Sequence, residues 1–147
     1  MTIKDCENIV NSYFENNLSF FKHTHTRKLV VNNSDYRIIP DDRYYGDNEM
    51  IFIEYENNKR PVESISKYWW LLKNTEWLKE KIKIQLLIIG LNEAHKGIRT
   101  ESIQIIGSEL KLKFPENIDF YYIPWDRVTK NEVLKVLNQI TRNGIKF

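Results

Sequence analysis

With 147 residues, 41% of them hydrophobic and 13% aromatic, the chain has the size and apolar content of one domain spanning 1–147. Cys6 is the only cysteine, which excludes an intramolecular disulfide or a thiolate metal cluster. A net charge of +2 is too small to indicate a nucleic-acid partner by itself, and no apolar run reaches the roughly 18 residues of a membrane span.

The N-terminal Met1-Thr-Ile-Lys-Asp lacks an apolar signal core, so a cytoplasmic protein without membrane association is expected. Ile3, Cys6, Val10, Tyr13 or Phe14, and Leu18 recur near a spacing of 3.6, which predicts an amphipathic helix within Thr2–Phe21. His23-Thr-His25 reads as a loop leading to Arg27 and Lys28. Three β-type runs follow at Lys28–Val31, Asp35–Pro40 and Glu49–Glu56, separated by turn formers at Asn32–Ser34 and Gly46–Asn48. Connections this short predict an antiparallel meander. Pro61 suits the first turn of a helix continued by Val62, Ile65, Tyr68 or Trp69, and Leu72. Ile82–Leu91 ends in a continuous apolar run, the pattern of a strand covered on both faces.

Beyond it, Thr100 is placed to cap a helix carrying Ile103, Ile106 and Leu110. Ile118–Pro124 is a further strand, and Val128–Ile140 a final helix. Tyr68-Trp69-Trp70, Tyr121, Tyr122 and Trp125 read as packing residues. The expected order is α-β-β-β-α-β-α-β-α, an α/β fold whose mixed central sheet has helices on both faces.

The stretch from Pro40 to Glu56 holds the chemically informative residues. Alternate side chains of a strand share a face, so Phe52, Glu54 and Glu56 point one way and Ile51, Ile53 and Tyr55 the other. Asp41 is read as closing the strand before the Gly46 turn, and Asp42 as a turn residue. If the two strands pair, Asp41 and Glu54 converge at one sheet edge. Converging carboxylates repel unless a cation lies between them, and hard oxygen ligands suit Mg²⁺ or Mn²⁺. On their own, without any resemblance to a known family, Glu54 and Glu56 read first as a solvated strand face.

Pro40-Asp41 followed by Glu54-Tyr55-Glu56, within this order of elements, resembles the PD-(D/E)XK nuclease superfamily. The resemblance implies a restriction-endonuclease-like αβββαβ core and metal-assisted hydrolysis of phosphodiesters in DNA. Asp41 and Glu54 would hold the cation, with Glu7 of the first helix as a further bridging carboxylate. Glu56 stands where the family has Lys. Some members move that basic group to the next helix, and Lys67, one turn after Glu63, is the counterpart here; Lys59 lies in the preceding loop. The implied catalytic set is therefore Asp41, Glu54, Glu56 and Lys67. His95, Lys96 and Arg99 follow the buried strand, at the end of a parallel sheet where ligands bind, and are candidate phosphate contacts. Cutting both strands of a duplex with one small domain favours a homodimer or higher homo-oligomer. The alternative, kept open by Glu56, is a catalytically inactive nuclease-like module that binds nucleic acid or a protein partner, as an inhibitor or immunity protein does.

Overall fold

The computed structural model describes residues 1–17, 22–23, 29–30, 37–38, 40–45, 49–58, 62–74 and 83–144. The fold is mixed α/β. Helix α1 (Ile3–Asn17) leads into the short strands β1 (Lys22–His23), β2 (Leu29–Val30) and β3 (Arg37–Ile38). Then come β4 (Asp42–Tyr45), β5 (Glu49–Glu56), α2 (Val62–Asn74), β6 (Lys83–Gly90) and α3 (Ile98–Lys113). Strand β7 (Ile118–Ile123), a 3₁₀ turn at Trp125–Arg127 and helix α4 (Lys130–Gly144) complete it. The main sheet has the order β1-β4-β5-β6-β7. The β1–β4 and β4–β5 pairs are antiparallel, and β5, β6 and β7 run parallel.

The expected meander is corrected. Strands β2 and β3 pair with each other in a separate two-stranded sheet, and the partner of β5 is Asp42–Tyr45, which lies after Pro40 and Asp41. His23, expected in a loop, pairs with Tyr44 as one end of β1. Thr24, His25, Arg27, Lys28, Gly46, Lys59 and Pro61 lie outside the described residues.

Alternation along β5 and β6 divides the interior into two cores. Ile51, Ile53 and Tyr55 of β5 and Leu87 and Ile89 of β6 pack against Val10 and Phe14 of α1 and Leu137 and Ile140 of α4. On the other face, Phe52, Leu86 and Ile88 meet Ile65, Tyr68 and Leu72 of α2 and Ile103 and Leu110 of α3. Each fully buried aliphatic side chain contributes roughly 1.5–3 kcal/mol, so the doubly covered β6 is the structural axis. Both parallel crossovers, through α2 and α3, use the same face, which puts α2 directly over the side of β5 that carries Glu54.

Local chemistry sets the helix starts. Thr2 caps α1 reciprocally: its Oγ1 accepts from the Asp5 N–H at 3.1 Å, while Asp5 Oδ2 accepts from the Thr2 N–H at 2.9 Å. Helix α3 begins before Thr100; its N-cap is Gly97 at φ 59°, and the Thr100 hydroxyl donates instead to the His95 carbonyl at 2.8 Å. Gly107 lets α3 approach β7, since a Cβ there would lie 2.0 Å from Phe120 Cε1. Trp125, expected to pack inside, is 42% exposed. Among the described residues, no helix is long and apolar enough to cross a membrane.

Candidate functional site

Asp42 pairs with Ile53 in the β4–β5 ladder, so Asp41, one residue earlier, stands at the end of the sheet where Glu54 emerges. Asp41 thus precedes its strand, where the sequence pattern predicts that it closes one. The correction is what allows convergence, because the start of one antiparallel strand lies beside the end of its partner. The exposed Asp41 carboxylate accepts the Tyr55 N–H through Oδ2 at 2.8 Å, which fixes it against β5.

Glu54 is 4% exposed and points under α2. Its Oε1 accepts from both the Tyr68 hydroxyl and the Lys67 ammonium, adjacent residues of α2. Burial raises the Glu54 carboxyl to about 7, against the opposing pull of Lys67 and Tyr68; the neighbouring Asp41 charge adds to the rise. Desolvation wins over the ion pair because Glu54 is enclosed, whereas the Lys67 side chain keeps about a third of its surface in solvent. Lys67 Nζ also lies 5.3 Å from the Tyr68 ring centroid. Tyr68 itself is fully buried, and burial followed by the Glu54 charge pushes its hydroxyl well above the usual phenol range.

Glu56 is also buried, and its Oε1 accepts the Asn58 N–H at 2.8 Å. Burial raises its carboxyl, Asp41 works in the same direction, and the Asn58 N–H, His95 and Lys67 oppose. Asp41, Glu54, Glu56 and Lys67 therefore form one electrostatic cluster at the end of β5.

Of the other sequence candidates, His95 reaches this cluster through Glu56 and Asn58. Glu7 sits on α1, across the sheet: it acts on Tyr55, whose ring faces the α1–α4 core, and it pairs with Lys4 at 3.6 Å. Its expected role as a bridging ligand is not supported by this placement. Asp42, expected in a turn, is buried at the head of β4 and accepts the Tyr55 hydroxyl at 2.6 Å. Lys96 and Arg99 are exposed beside a hollow of about 720 Å³ that they line with Asn92, Glu93, Ala94 and Ile98. His95 is only 1% exposed, so its ring does not face solvent with them; its Nε2–H donates to the Asn58 carbonyl.

Sequence reasoning misses Tyr68 and Asn58 as partners of the carboxylates. A Tyr following Lys67 in an otherwise apolar stripe is the available signal for the first; the second is a main-chain contact that side-chain types do not encode.

Among the described residues, no three His, Cys, Asp or Glu side chains are grouped closely enough to hold a metal ion. The donor set of Asp41 and Glu54 nevertheless suits a hard divalent cation. Asp41 Oδ1 and Glu54 Oε2 accept no hydrogen bond among the described residues, and a cation beside them would relieve their mutual repulsion. No protein-family model matches the chain, and no curated protein matches it significantly.

Proposed function

We propose that this chain is a metal-dependent endonuclease of the PD-(D/E)XK kind, hydrolysing phosphodiester bonds in DNA. The observation that carries the reading is the pairing of Lys67 with Glu54, beside Asp41. The basic group that the motif lacks at Glu56 is supplied to the same carboxylate edge from α2. Asp41 and Glu54 would hold Mg²⁺ or Mn²⁺, which polarises the phosphate and acidifies water.

The chain's own residues do the rest. Lys67, oriented by Glu54 and the Tyr68 face, donates to the attacking water or to a phosphate oxygen as negative charge develops there. Glu56, held through one oxygen by Asn58, has its second oxygen to accept a proton from water. The water oxygen bonds to phosphorus, the bond to the leaving oxygen breaks, and the released proton passes to that oxygen through solvent. Lys96 and Arg99 would contact flanking phosphates, and a homodimer would present two such edges to a duplex in the cytoplasm.

A second reading has its own observation. The Lys67 ammonium already occupies Glu54 Oε1, and no three His, Cys, Asp or Glu side chains are grouped for a metal among the described residues. Both features suit a nuclease-like module that binds nucleic acid or protein without cutting.

The experiment is incubation of supercoiled plasmid, a branched junction and single strands with Mg²⁺ or Mn²⁺, with chelator as control. Metal-dependent cutting is expected. Intact substrates in every condition, with no heat of metal binding by calorimetry, would leave the second reading.

A further inference from the structure

Three successive carbonyls leave the end of β5 towards one partner segment. The Glu56 carbonyl accepts the Leu91 N–H at 2.8 Å, the Asn57 carbonyl accepts the Asn92 side-chain amide at 2.8 Å, and the Asn58 carbonyl accepts the His95 Nε2–H. The return bond is the Asn58 N–H to the Glu56 carboxylate at 2.8 Å. Residues 56–58 are therefore tied to the exit of β6, and the Asn58 N–H that this segment carries is the one bonded to the Glu56 carboxylate.

The donor side is itself built in. The Asn92 side chain accepts the Ala94 N–H through Oδ1 at 2.9 Å while its amide reaches Asn57, which fixes its rotamer. The His95 N–H donates to the Asn92 carbonyl at 2.9 Å, and its own carbonyl takes the Thr100 hydroxyl at 2.8 Å, anchoring the loop to α3. Gly90 makes room for the imidazole: a Cβ there would stand 3.2 Å from His95 Nδ1 and 3.2 Å from the Trp125 nitrogen. A carbonyl can only accept, so His95 carries its proton on Nε2, and Nδ1 is buried with no partner among the described residues. A buried imidazole with one ring nitrogen committed to a main-chain carbonyl is a poor phosphate contact and a good strut.

We infer that His95 and Asn92 are positioning residues for the carboxylate edge, holding residues 57–58 so that the Asn58 N–H orients Glu56 beside Asp41 and Glu54. The inference rests on the reading of that edge as the reactive one. Outer partners of this kind, which orient a group rather than touch substrate, typically change activity by about 10–100-fold when removed.

Two substitutions at one position separate the clamp from mere bulk. His95→Leu keeps an apolar filling and loses the donor; His95→Gln places an amide N–H near the position of Nε2. The first readout is amide hydrogen exchange by NMR at Asn58, compared with Leu87 and Ile88 in the middle of β6. The second is kcat and KM for Mn²⁺-dependent plasmid cleavage.

In His95→Leu, exchange at Asn58 is expected to quicken while Leu87 and Ile88 keep their rates, with kcat down about 10-fold and KM little changed. His95→Gln restores most of both. Asn92→Ala, which removes the Asn57 bond and the Ala94 N–H acceptor but leaves the His95–Asn58 bond, shows the same pattern more weakly and serves if His95→Leu does not fold. Unchanged Asn58 exchange, equal loss at all three amides, no rescue by Gln, or an unaltered kcat with Asn58 loosened would each overturn the inference. A wild-type chain that cuts nothing, yet loses Asn58 protection selectively in His95→Leu, would refute the nuclease reading and leave the clamp standing.

Discussion

Replacing Glu54 by Gln removes an ionisable group from a site where ionisation is costly, while leaving an oxygen to accept the Tyr68 hydroxyl. The Glu54 carboxyl titrates at about 7 in the folded chain against an ordinary 4.5, mainly because it is buried. At about 1.36 kcal/mol per pH unit, the folded state binds that proton about 3 kcal/mol more tightly than the unfolded state does. The sign follows from linkage. Between the two values the folded chain retains a proton that the unfolded chain has released, so stability falls as pH rises from 4.5 through 7.

The Glu54→Gln chain lacks this contribution, while those of other buried carboxyls such as Glu56 are common to both chains. The lost contact with the partly exposed Lys67 is a small offset of about 1 kcal/mol or less. The advantage of Glu54→Gln over wild type should therefore grow by about 3 kcal/mol between acid and mildly alkaline pH. That corresponds to about 6–12 °C in melting temperature at the sensitivity of a domain this size. Thermal melts by circular dichroism across this range, in chelator, measure it. Added Mn²⁺ should recover wild-type stability at alkaline pH and leave Glu54→Gln unchanged. Melting curves whose separation stays constant with pH would refute the reasoning, because burial would then not be what raises the Glu54 carboxyl.

Other consequences follow from the same packing. Lys67→Met keeps the length of the side chain but removes the donor, and cleavage should fall by about 10²–10³, as for other lost transition-state donors; a loss below tenfold in a nicking assay would exclude the role given to Lys67. Gly107→Ala puts a methyl 2.0 Å from the Phe120 ring, so α3 must shift on β7 at a cost of about 1–3 kcal/mol in urea denaturation, and an unchanged midpoint would show that Phe120 simply turns aside. Cys6 is buried in the α1–α4 core with its thiol pushed up to about 11, chiefly by burial. It should resist alkylation at pH 8 until the chain is denatured, and rapid labelling of the native protein by mass spectrometry would contradict that placement.

Strands β5 and β6 are legible because their residues report burial directly. Ile51, Ile53 and Tyr55 alternate with Phe52, and Leu86 to Ile89 are apolar without a break. Strand β4 is not, because two of its inward residues are Asp42 and Arg43, buried polar groups that break the apolar alternation a strand is recognised by. Strands β2 and β3 look like the missing members of the meander because strand pairing is decided by distant partners, while propensity is local.

The site divides in the same way. Motif spacing and helical phase point to Asp41, Glu54 and Lys67, and the cluster contains all three. Glu7 is not grouped with Asp41 and Glu54, because helical phase fixes a face of α1 but not the side of the sheet against which α1 packs. His95 reads as a phosphate contact in a polar loop; it is buried and bonded to the Asn58 carbonyl, 37 residues earlier, a partner that no local pattern announces.

The most direct test of the central claim is the rate at which supercoiled plasmid is nicked in Mn²⁺ by wild type, Asp41→Asn and Glu54→Gln, each verified as folded. Nicking by wild type that chelator stops, and that both substitutions reduce by at least about 10²-fold, is the predicted result. Equal nicking by all three chains would contradict it, since the carboxylate edge would then have no part in the reaction.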